Sequence, residues 1–202
     1  MRVLDLCCGT GSVGCVFKRH NHVVVSVDID PKFSPTLCMD VLDLPLEFAD
    51  AFDFCFAAPP CTEWSRAKST APRDFTKASQ IARHCVALAQ RCPYYCIESP
   101  QTGKLKEQDF MKDIPYVDCS YCKYSSFGYK KQTRLWTNLD WQPAVCRKDC
   151  PHMITPTRHK YSAQRGPGFP GDRSFKVEEL YRIPYKLIEE LIQHLPNENP
   201  SS

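Results

Sequence analysis

The chain has 202 residues, of which 43% are hydrophobic and 24% charged, and this predicts one soluble globular domain with room for a small insert. It contains no long apolar run and no charged leader before an apolar stretch, so we predict neither a membrane span nor a secretory signal, and we expect an intracellular protein. The net charge of +3 excludes little by itself. The thirteen cysteines, without a secretory signal, are interpreted as reduced thiols with catalytic or metal-binding roles rather than as a disulfide framework.

The first thirty residues predict a ligand-binding α/β unit. Residues 3–27 have the pattern strand, glycine turn, helix, strand, and Asp28 stands at the end of the second strand. The turn has the spacing Gly9-x-Gly11-x-x-Gly14. An acidic residue at the end of the second strand of such a unit commonly binds a ribose.

The glycine spacing alone would suggest a dinucleotide, but Asp5 argues against it. A carboxylate just before the loop would repel a pyrophosphate. S-adenosylmethionine carries an ammonium and a sulfonium and no phosphate, so we favour this methyl donor. Asp28 would then accept hydrogen bonds from the ribose, and Asp40 would either meet the adenine amino group or be a solvated loop residue. NAD binding, or a tight turn in a nucleotide-free α/β fold, is the alternative.

Two further strands are predicted to end at chemically active residues. Residues 52–57 run into a Pro-Pro-Cys sequence that places Cys61 beyond the carboxyl end of a strand, where ligands bind in open parallel sheets. The prolines stiffen the loop, so Cys61 is interpreted as a nucleophile, with a bystander thiol as the alternative. Residues 94–97 form the next strand and end at Glu98, followed by Ser-Pro.

The remaining regular elements are predicted from periodicity and turn residues. Residues 75–92 form an amphipathic crossover helix. Residues 116–138 hold two short strand-like pieces around a basic turn that ends at Arg134, which is either an active-site guanidinium or a solvated turn residue. Residues 177–195 contain a terminal helix with an apolar stripe, near whose start Pro184 is tolerated.

Composition changes between residues 139 and 174, where Pro, Gly, His and basic residues replace regular periodicity. From residue 130 to 173 there are nine basic residues and three acidic ones, with interleaved aromatic residues. This composition suits a phosphate backbone and unstacked bases, and the alternative is an exposed loop with scattered charges. We therefore predict a catalytic domain over 1–138 and 175–195, a small basic target-recognition insert over 139–174 and a disordered tail over 196–202. The basic residues are Lys130, Lys131, Arg134, Arg147, Lys148, Arg158, Lys160, Arg165 and Arg173.

Two cysteine pairs around residue 136 suggest a structural zinc site. They are Cys119-x-x-Cys122 and Cys146-x-x-x-Cys150, and the second is followed by His152. A short insert without a core needs such a staple, although chance pairs are common in a cysteine-rich chain. The preferred ligands are Cys122, Cys146, Cys150 and His152, with Cys119 as the substitute.

The motifs taken together resemble the C5-cytosine-specific DNA methyltransferase family. LDLCCGTGS, VDID, PPC, ESP and a Gln-x-Arg segment follow one another in the family's order over nearly the whole chain, and the compact layout is most similar to small virus- or phage-encoded members. The resemblance implies an α/β, Rossmann-like S-adenosylmethionine-dependent methyltransferase fold with a mostly parallel twisted sheet and a very small target-recognition insert. It also implies a location in the nucleus or cytoplasm of a cell, which could be a virus-infected host cell.

The resemblance implies a defined chemistry, in which a methyl group passes from S-adenosylmethionine to C5 of a cytosine flipped out of double-stranded DNA. Cys61 would add to C6, Glu98 would hydrogen-bond N3 and the 4-amino group, and Arg134 would help to hold the base and the surroundings of Cys61. The cofactor-binding residues that it implies are Asp5, Gly9, Gly11, Ser12, Asp28, Ile29, Asp40, Val41 and Pro59.

The sequence departs from the family pattern at several positions. Cys7 replaces the usual Phe, Ser99 stands where Asn is usual after the glutamate, and Trp136 occupies the place of a second arginine. The recognition region is also much shorter than usual. Two alternatives therefore stay open: an RNA (tRNA) cytosine-5 methyltransferase, and a catalytically inactive nucleic-acid-binding remnant.

Overall fold

The computed structural model describes residues 1–64, 72–127, 129–163 and 175–196. The strands among these residues are β1 (Arg2–Leu6), β2 (Val23–Asp28), β3 (Leu37–Cys38), β4 (Phe54–Ala57), β5 (Tyr94–Pro100), β6 (Tyr116–Ser120), β7 (Tyr129–Lys130), β8 (Gln132–Thr137), β9 (Met153–Thr155), β10 (Arg158–His159) and β11 (Tyr161–Ser162). The α-helices are α1 (Ser12–Arg19), α2 (Phe75–Arg91), α3 (Val177–Tyr181) and α4 (Tyr185–Gln193).

Seven strands form one sheet in the order β3-β2-β1-β4-β5-β8-β6. The first five are parallel to their neighbours, whereas β8 runs antiparallel to both β5 and β6. The sequence-based prediction of a mostly parallel sheet is thus confirmed. Because β1, β2, β4 and β5 point the same way, their carboxyl ends meet at one edge, and the loops after these strands carry the predicted site residues.

Helices cover both faces of the sheet and bury two apolar cores. One core lies under α2 and includes Leu4, Cys55 and Ile97; the other lies under α1 and α4 and includes Val3, Phe17 and Leu191. Alternate residues of β1 and β5 enter different cores, as expected for strands buried on both faces. The sheet is thus the middle of three layers, packed on both faces.

Two elements differ from their predicted limits. Strand β5 continues through Pro100 because β8 pairs with it, so that Glu98 lies within the strand and not at its tip. The terminal helix is interrupted between α3 and α4, at residues 182–184. The pyrrolidine ring of Pro184 disfavours helical backbone at the preceding residue, and this places the break.

The first residues of the predicted insert belong to the core. Leu139 and Trp141 are buried in the core under α4, and the Trp141 Nε1 donates a hydrogen bond of 2.9 Å to Glu190 Oε1. Residues 153–159 form a two-stranded hairpin, and β11 pairs with β7 beside the main sheet. Residues 164–174 of the predicted insert and 197–202 of the predicted tail lie outside the described residues.

Among the helices that the structure describes, none combines the length and the apolar character needed to cross a membrane.

Candidate active site

The glycine loop joins β1 to α1 through left-handed backbone. Gly9 has φ +48° and Gly11 has φ +67°, a region that glycine adopts without the steric cost of a Cβ atom. The loop is tied to the end of β2, because Gly9 N donates a hydrogen bond of 2.8 Å to Asp28 Oδ2 and Asp30 N donates one of 2.9 Å to Asp28 Oδ1. Asp28, predicted to hold a ribose, therefore stands at the loop with a fixed carboxylate.

Asp5, predicted to bind the cofactor, is buried beneath the glycine loop. Its side chain is 1% exposed, and its Oδ2 accepts a hydrogen bond of 3.1 Å from Gly14 N in the first turn of α1. Burial raises the pKa of the Asp5 carboxyl to about 7. A Cβ atom at Gly14 would lie 3.3 Å from Asp5 Oδ2, so the third glycine permits this close approach. Asp5 thus positions the loop from beneath and is closed off from a ligand.

The other predicted cofactor residues lie around the loop. Ile29, after Asp28, exposes 63% of its surface at the sheet edge. Asp40 accepts a hydrogen bond of 3.0 Å from Leu42 N and so caps a short 3-10 helix in which Val41 is buried. Ser12 lines a cavity of about 550 Å³ that is also walled by Ser125, Phe127 and Arg182.

Cys61 lies in a tight turn after β4. Pro59 is buried and Pro60 is exposed, and Trp64 N donates a hydrogen bond of 3.1 Å to Cys61 O. Trp64 itself is 1% exposed, so its indole anchors the turn in the core. The thiol of Cys61 is half-buried at the carboxyl edge of the sheet, where the sequence predicts it.

Glu98 belongs to a small polar cluster with Tyr121 and Lys131. The buried Tyr121 hydroxyl donates a hydrogen bond of 3.0 Å to Glu98 Oε1, and Lys131 Nζ lies 3.5 Å from the same oxygen. Lys131 Nζ also lies 4.7 Å from the centre of the Tyr121 ring and donates a hydrogen bond of 3.1 Å to Leu180 O. The Glu98 side chain is only 9% exposed, and Tyr121 and Lys131 supply its carboxylate with donors in place of water.

Both charges of this cluster act on the Cys61 thiol. Burial raises the pKa of Cys61, and the negative charge of Glu98 raises it further, whereas the ammonium of Lys131 lowers it. Since only the thiolate is a nucleophile, Lys131 is the group that favours a reactive Cys61.

Arg134 does not join this cluster. In the β5–β8 pairing, Glu98 faces Leu135 and Arg134 faces Ser99, so Glu98 and Arg134 project from opposite faces of the sheet. The Arg134 guanidinium instead donates to both carboxylate oxygens of Asp118, at 2.7 and 3.0 Å, and stacks on the Tyr116 ring. Lys131 therefore lies beside Glu98, and Arg134, which was predicted to help to hold the base and the surroundings of Cys61, is paired with Asp118.

The sequence analysis did not identify Lys131 or Tyr121 as site residues. Lys131 was counted among the basic residues of the turn before Arg134, and the Gln-x-Arg motif drew the prediction to the arginine. The alternation of side chains along an extended chain was the available signal, because Lys131, which directly precedes β8, stands three positions before Arg134 and so projects from the opposite face.

The predicted zinc ligands are brought together with one exchange. The Sγ atoms of Cys122, Cys146 and Cys150 and a ring nitrogen of His159 all lie within 4.8 Å of one another. His152 is not in this group, since its Nε2 lies 2.8 Å from Ser125 O. Cys119, the predicted substitute, is buried in the core under α4.

Two solved structures share the architecture. One is from an E. coli prophage and is described as a DNA modification methyltransferase; it is 18% identical, with a TM-score of 0.53, over 70% of this chain and 49% of its own. The other is a methyltransferase from Entamoeba histolytica, 13% identical, with a TM-score of 0.52, over 72% of this chain and 56% of its own. This chain thus spans about half the length of these proteins. The fold that it shares with them is a Rossmann-like α/β fold.

Sequence similarity narrows the class. The chain is 29% identical over 222 aligned residues to a protein of Frog virus 3 (isolate Goorha) named "Probable DNA (cytosine-5)-methyltransferase", and the alignment covers 95% of this chain and 99% of the viral one. No family model matches the chain. The predicted resemblance to the C5-cytosine DNA methyltransferases, and to a small viral member in particular, is confirmed by this relative.

Proposed function

We propose that the protein transfers a methyl group from S-adenosylmethionine to C5 of cytosine in double-stranded DNA. The observation that carries the proposal is the Cys61–Glu98–Lys131 arrangement. A half-buried thiol lies at the carboxyl edge of the sheet, and its pKa is shifted by the charges of Glu98 and Lys131, which are 3.5 Å apart. The methyl donor supplies the electrophilic methyl group. The protein supplies the nucleophile and the group that stabilises the base.

The residues present fit the donor. A carboxylate held at the glycine loop by two backbone N–H groups can still accept hydrogen bonds from ribose hydroxyls through its free lone pairs. The exposed Ile29 beside it offers an apolar surface for the adenine ring.

Covalent catalysis explains why a thiol and a carboxylate are paired. The Cys61 sulfur forms a bond to C6 of cytosine while N3 gains a proton, so that the thiol proton passes in net terms to N3, and the Glu98 carboxyl holds that N3 proton and accepts from the 4-amino group. C5, now part of an enamine, takes the methyl group and leaves a neutral thioether. Loss of the C5 proton then breaks the C6–sulfur bond and releases Cys61.

The basic segment supports a nucleic-acid partner. Arg147, Lys148, Arg158 and Lys160 are exposed, and the nearby Asp149 is paired with Lys123 at 3.0 Å. Exposed cations near the site suit the phosphate backbone of DNA and the extrusion of a base. Arg165 and Arg173, which the sequence analysis placed in this surface, lie outside the described residues.

Methyl transfer to defined nucleic acids tests the proposal. Purified full-length protein is incubated with tritiated S-adenosylmethionine and either unmethylated duplex DNA or bulk tRNA. We expect label in DNA that digests to 5-methyldeoxycytidine. Label in tRNA alone would keep the chemistry and replace the substrate, and donor binding without label in either would favour a binding remnant.

Replacing Asp28 by alanine should weaken donor binding. The ribose would lose hydrogen bonds to a charged acceptor, and we expect the dissociation constant of S-adenosylmethionine to rise about tenfold to a hundredfold, measured by calorimetry. Asp30→Ala is the matched control, because Asp30 accepts its hydrogen bond from Lys32 N and has no predicted donor contact. An unchanged constant in Asp28→Ala would remove the ribose assignment.

Lys131→Met should move the pH dependence of methyl transfer to higher pH. Lys131 lowers the pKa of Cys61, so without the ammonium the thiol stays protonated to a higher pH and less thiolate is present near neutrality. The single-turnover rate as a function of pH reports this shift. Lys131→Arg should keep the profile close to that of the natural protein.

Lys130→Met is the control for general loss of positive charge. Lys130 is the exposed neighbour of Lys131. Its substitution removes the same positive charge from the protein. If the two methionine variants lower the rate equally, with no change in the midpoint of the profile, the effect of Lys131 is on DNA binding or folding and its proposed action on Cys61 is wrong.

A further inference from the structure

We propose that Cys122, Cys146, Cys150 and His159 bind one structural Zn²⁺ ion. Three thiol sulfur atoms and an imidazole nitrogen form the common ligand set of tetrahedral structural zinc sites. Bonds of the usual length place the ligand atoms of such a site about 3.5–3.8 Å apart. Here the four atoms lie within 4.8 Å of one another, and Cys146 Sγ is 3.4 Å from His159 Nε2.

The ligands come from three separate pieces of chain. Cys122 lies in the 3-10 helix Tyr121–Lys123 that follows β6, Cys146 and Cys150 lie in the loop after β8, and His159 lies in β10 of the hairpin. Their convergence requires the hairpin to fold back on the loop, and the hydrogen bond of 2.8 Å from Lys160 N to His152 O supports that fold. Four ligands from distant positions do not meet through local sequence alone.

The surrounding segment has almost no apolar core of its own. Of residues 144–163, all of which are described, only Cys150 is buried. Ordering this segment costs conformational entropy that its own apolar contacts do not offset. A bound metal ion supplies that free energy in small units without a core.

The backbone connects the proposed zinc site to the cluster of Glu98, Tyr121 and Lys131. Cys122 directly follows Tyr121, whose hydroxyl donates to Glu98 and whose N–H donates a hydrogen bond of 3.0 Å to Lys131 O. On the other side, β11 follows the hairpin and pairs with β7, just before Lys131. The metal would thus fix the basic segment and the Glu98 cluster relative to each other.

Metal content and cobalt spectroscopy test the site independently of methyl transfer. We expect reduced full-length protein to hold one Zn²⁺ per chain by mass spectrometry, and Co²⁺ in its place to give the visible absorption of a tetrahedral thiolate site. His159→Asn should lose the metal. His152→Asn, which alters the neighbouring predicted ligand, should keep it.

A ligand-swap variant separates metal loss from misfolding. His159→Cys keeps four ligands, so we expect it to bind one Co²⁺ with an altered spectrum that reflects a fourth thiolate. Protein that takes up no Zn²⁺ from a buffered supply, or that holds it equally well in His159→Asn, would overturn the proposal. Neither result would bear on the proposed methyl transfer, which is measured separately.

Discussion

Cys61→Ser should abolish methyl transfer while leaving S-adenosylmethionine bound. A serine hydroxyl is far less acidic than a thiol and does not form the bond to C6, so we expect the rate to fall by about a thousandfold or more, as when other covalent nucleophiles are removed. Of the predicted donor residues, Pro59 shares the loop of Cys61, whereas Gly9 and Asp28 lie in other loops, and the dissociation constant of the donor should stay within about twofold of the natural value. The measurements are tritium transfer to duplex DNA and calorimetry.

A covalent trap tests the same residue from the product side. DNA containing 5-fluorocytosine has no C5 proton to lose, so the natural protein should remain attached to it in a donor-dependent adduct stable to denaturation. Cys61→Ser should form no adduct, whereas Cys38→Ser, which removes an exposed thiol elsewhere, should form it normally. Full turnover or an intact adduct in Cys61→Ser would rule out this nucleophile.

Elements set by local sequence were predicted closely. The helix α2 ends one residue from its predicted limit because its apolar stripe repeats with the helical period, and β1, β2 and β4 are short apolar runs bounded by turn residues. The carboxyl-edge positions of Asp28 and Cys61 follow from the parallel order of these strands, which the motif pattern already indicates, whereas Glu98 lies inside the longer strand β5.

What the sequence analysis missed depends on pairing between distant residues. The register of β8 against β5 decides that Arg134 faces away from Glu98, and no local pattern states this register. His152 follows the cysteine pair in sequence, yet the turn-back of the β9–β10 hairpin brings His159 to the sulfur atoms. Asp5 was assigned to a ligand by its charge, although its burial under Gly14 makes it a support for the loop.

The geometry beside Glu98 gives the departures from the family pattern a physical meaning. The second arginine of the motif is absent. Lys131, which stands one position before the Gln-x-Arg segment, supplies a positive charge 3.5 Å from Glu98 Oε1. The ion pair of Arg134 with Asp118 then joins β8 to β6, a structural task. A small chain can in this way keep the charge balance of the site with different residues.

Glu98→Gln is the second substitution from which we expect a large loss. Glutamine keeps the size of the side chain and can still accept from Tyr121, but it cannot carry a proton to N3, so negative charge stays on the base as C6 is attacked. The rate of methyl transfer should fall about a hundredfold to a thousandfold, the usual effect of removing one electrostatic stabiliser. Loss of the Glu98 charge also removes a group that raises the pKa of Cys61, so the residual activity of Glu98→Gln should have its pH midpoint below that of the natural protein.

The two effects of Glu98→Gln change the rate near neutral pH in opposite directions. Loss of base stabilisation lowers the rate, whereas a lower pKa of Cys61 raises the amount of thiolate. If Glu98 acted only by suppressing the thiolate, Glu98→Gln would be more active near neutral pH, because more Cys61 would be ionised. If Glu98 were only a structural acceptor for Tyr121, then Tyr121→Phe, which removes that hydrogen bond, would cost as much as Glu98→Gln; we expect a loss of about tenfold for this control. A large rate loss together with a lowered pH midpoint is expected only when Glu98 stabilises the reacting base, since the thiolate is then more abundant and the reaction is nevertheless slower.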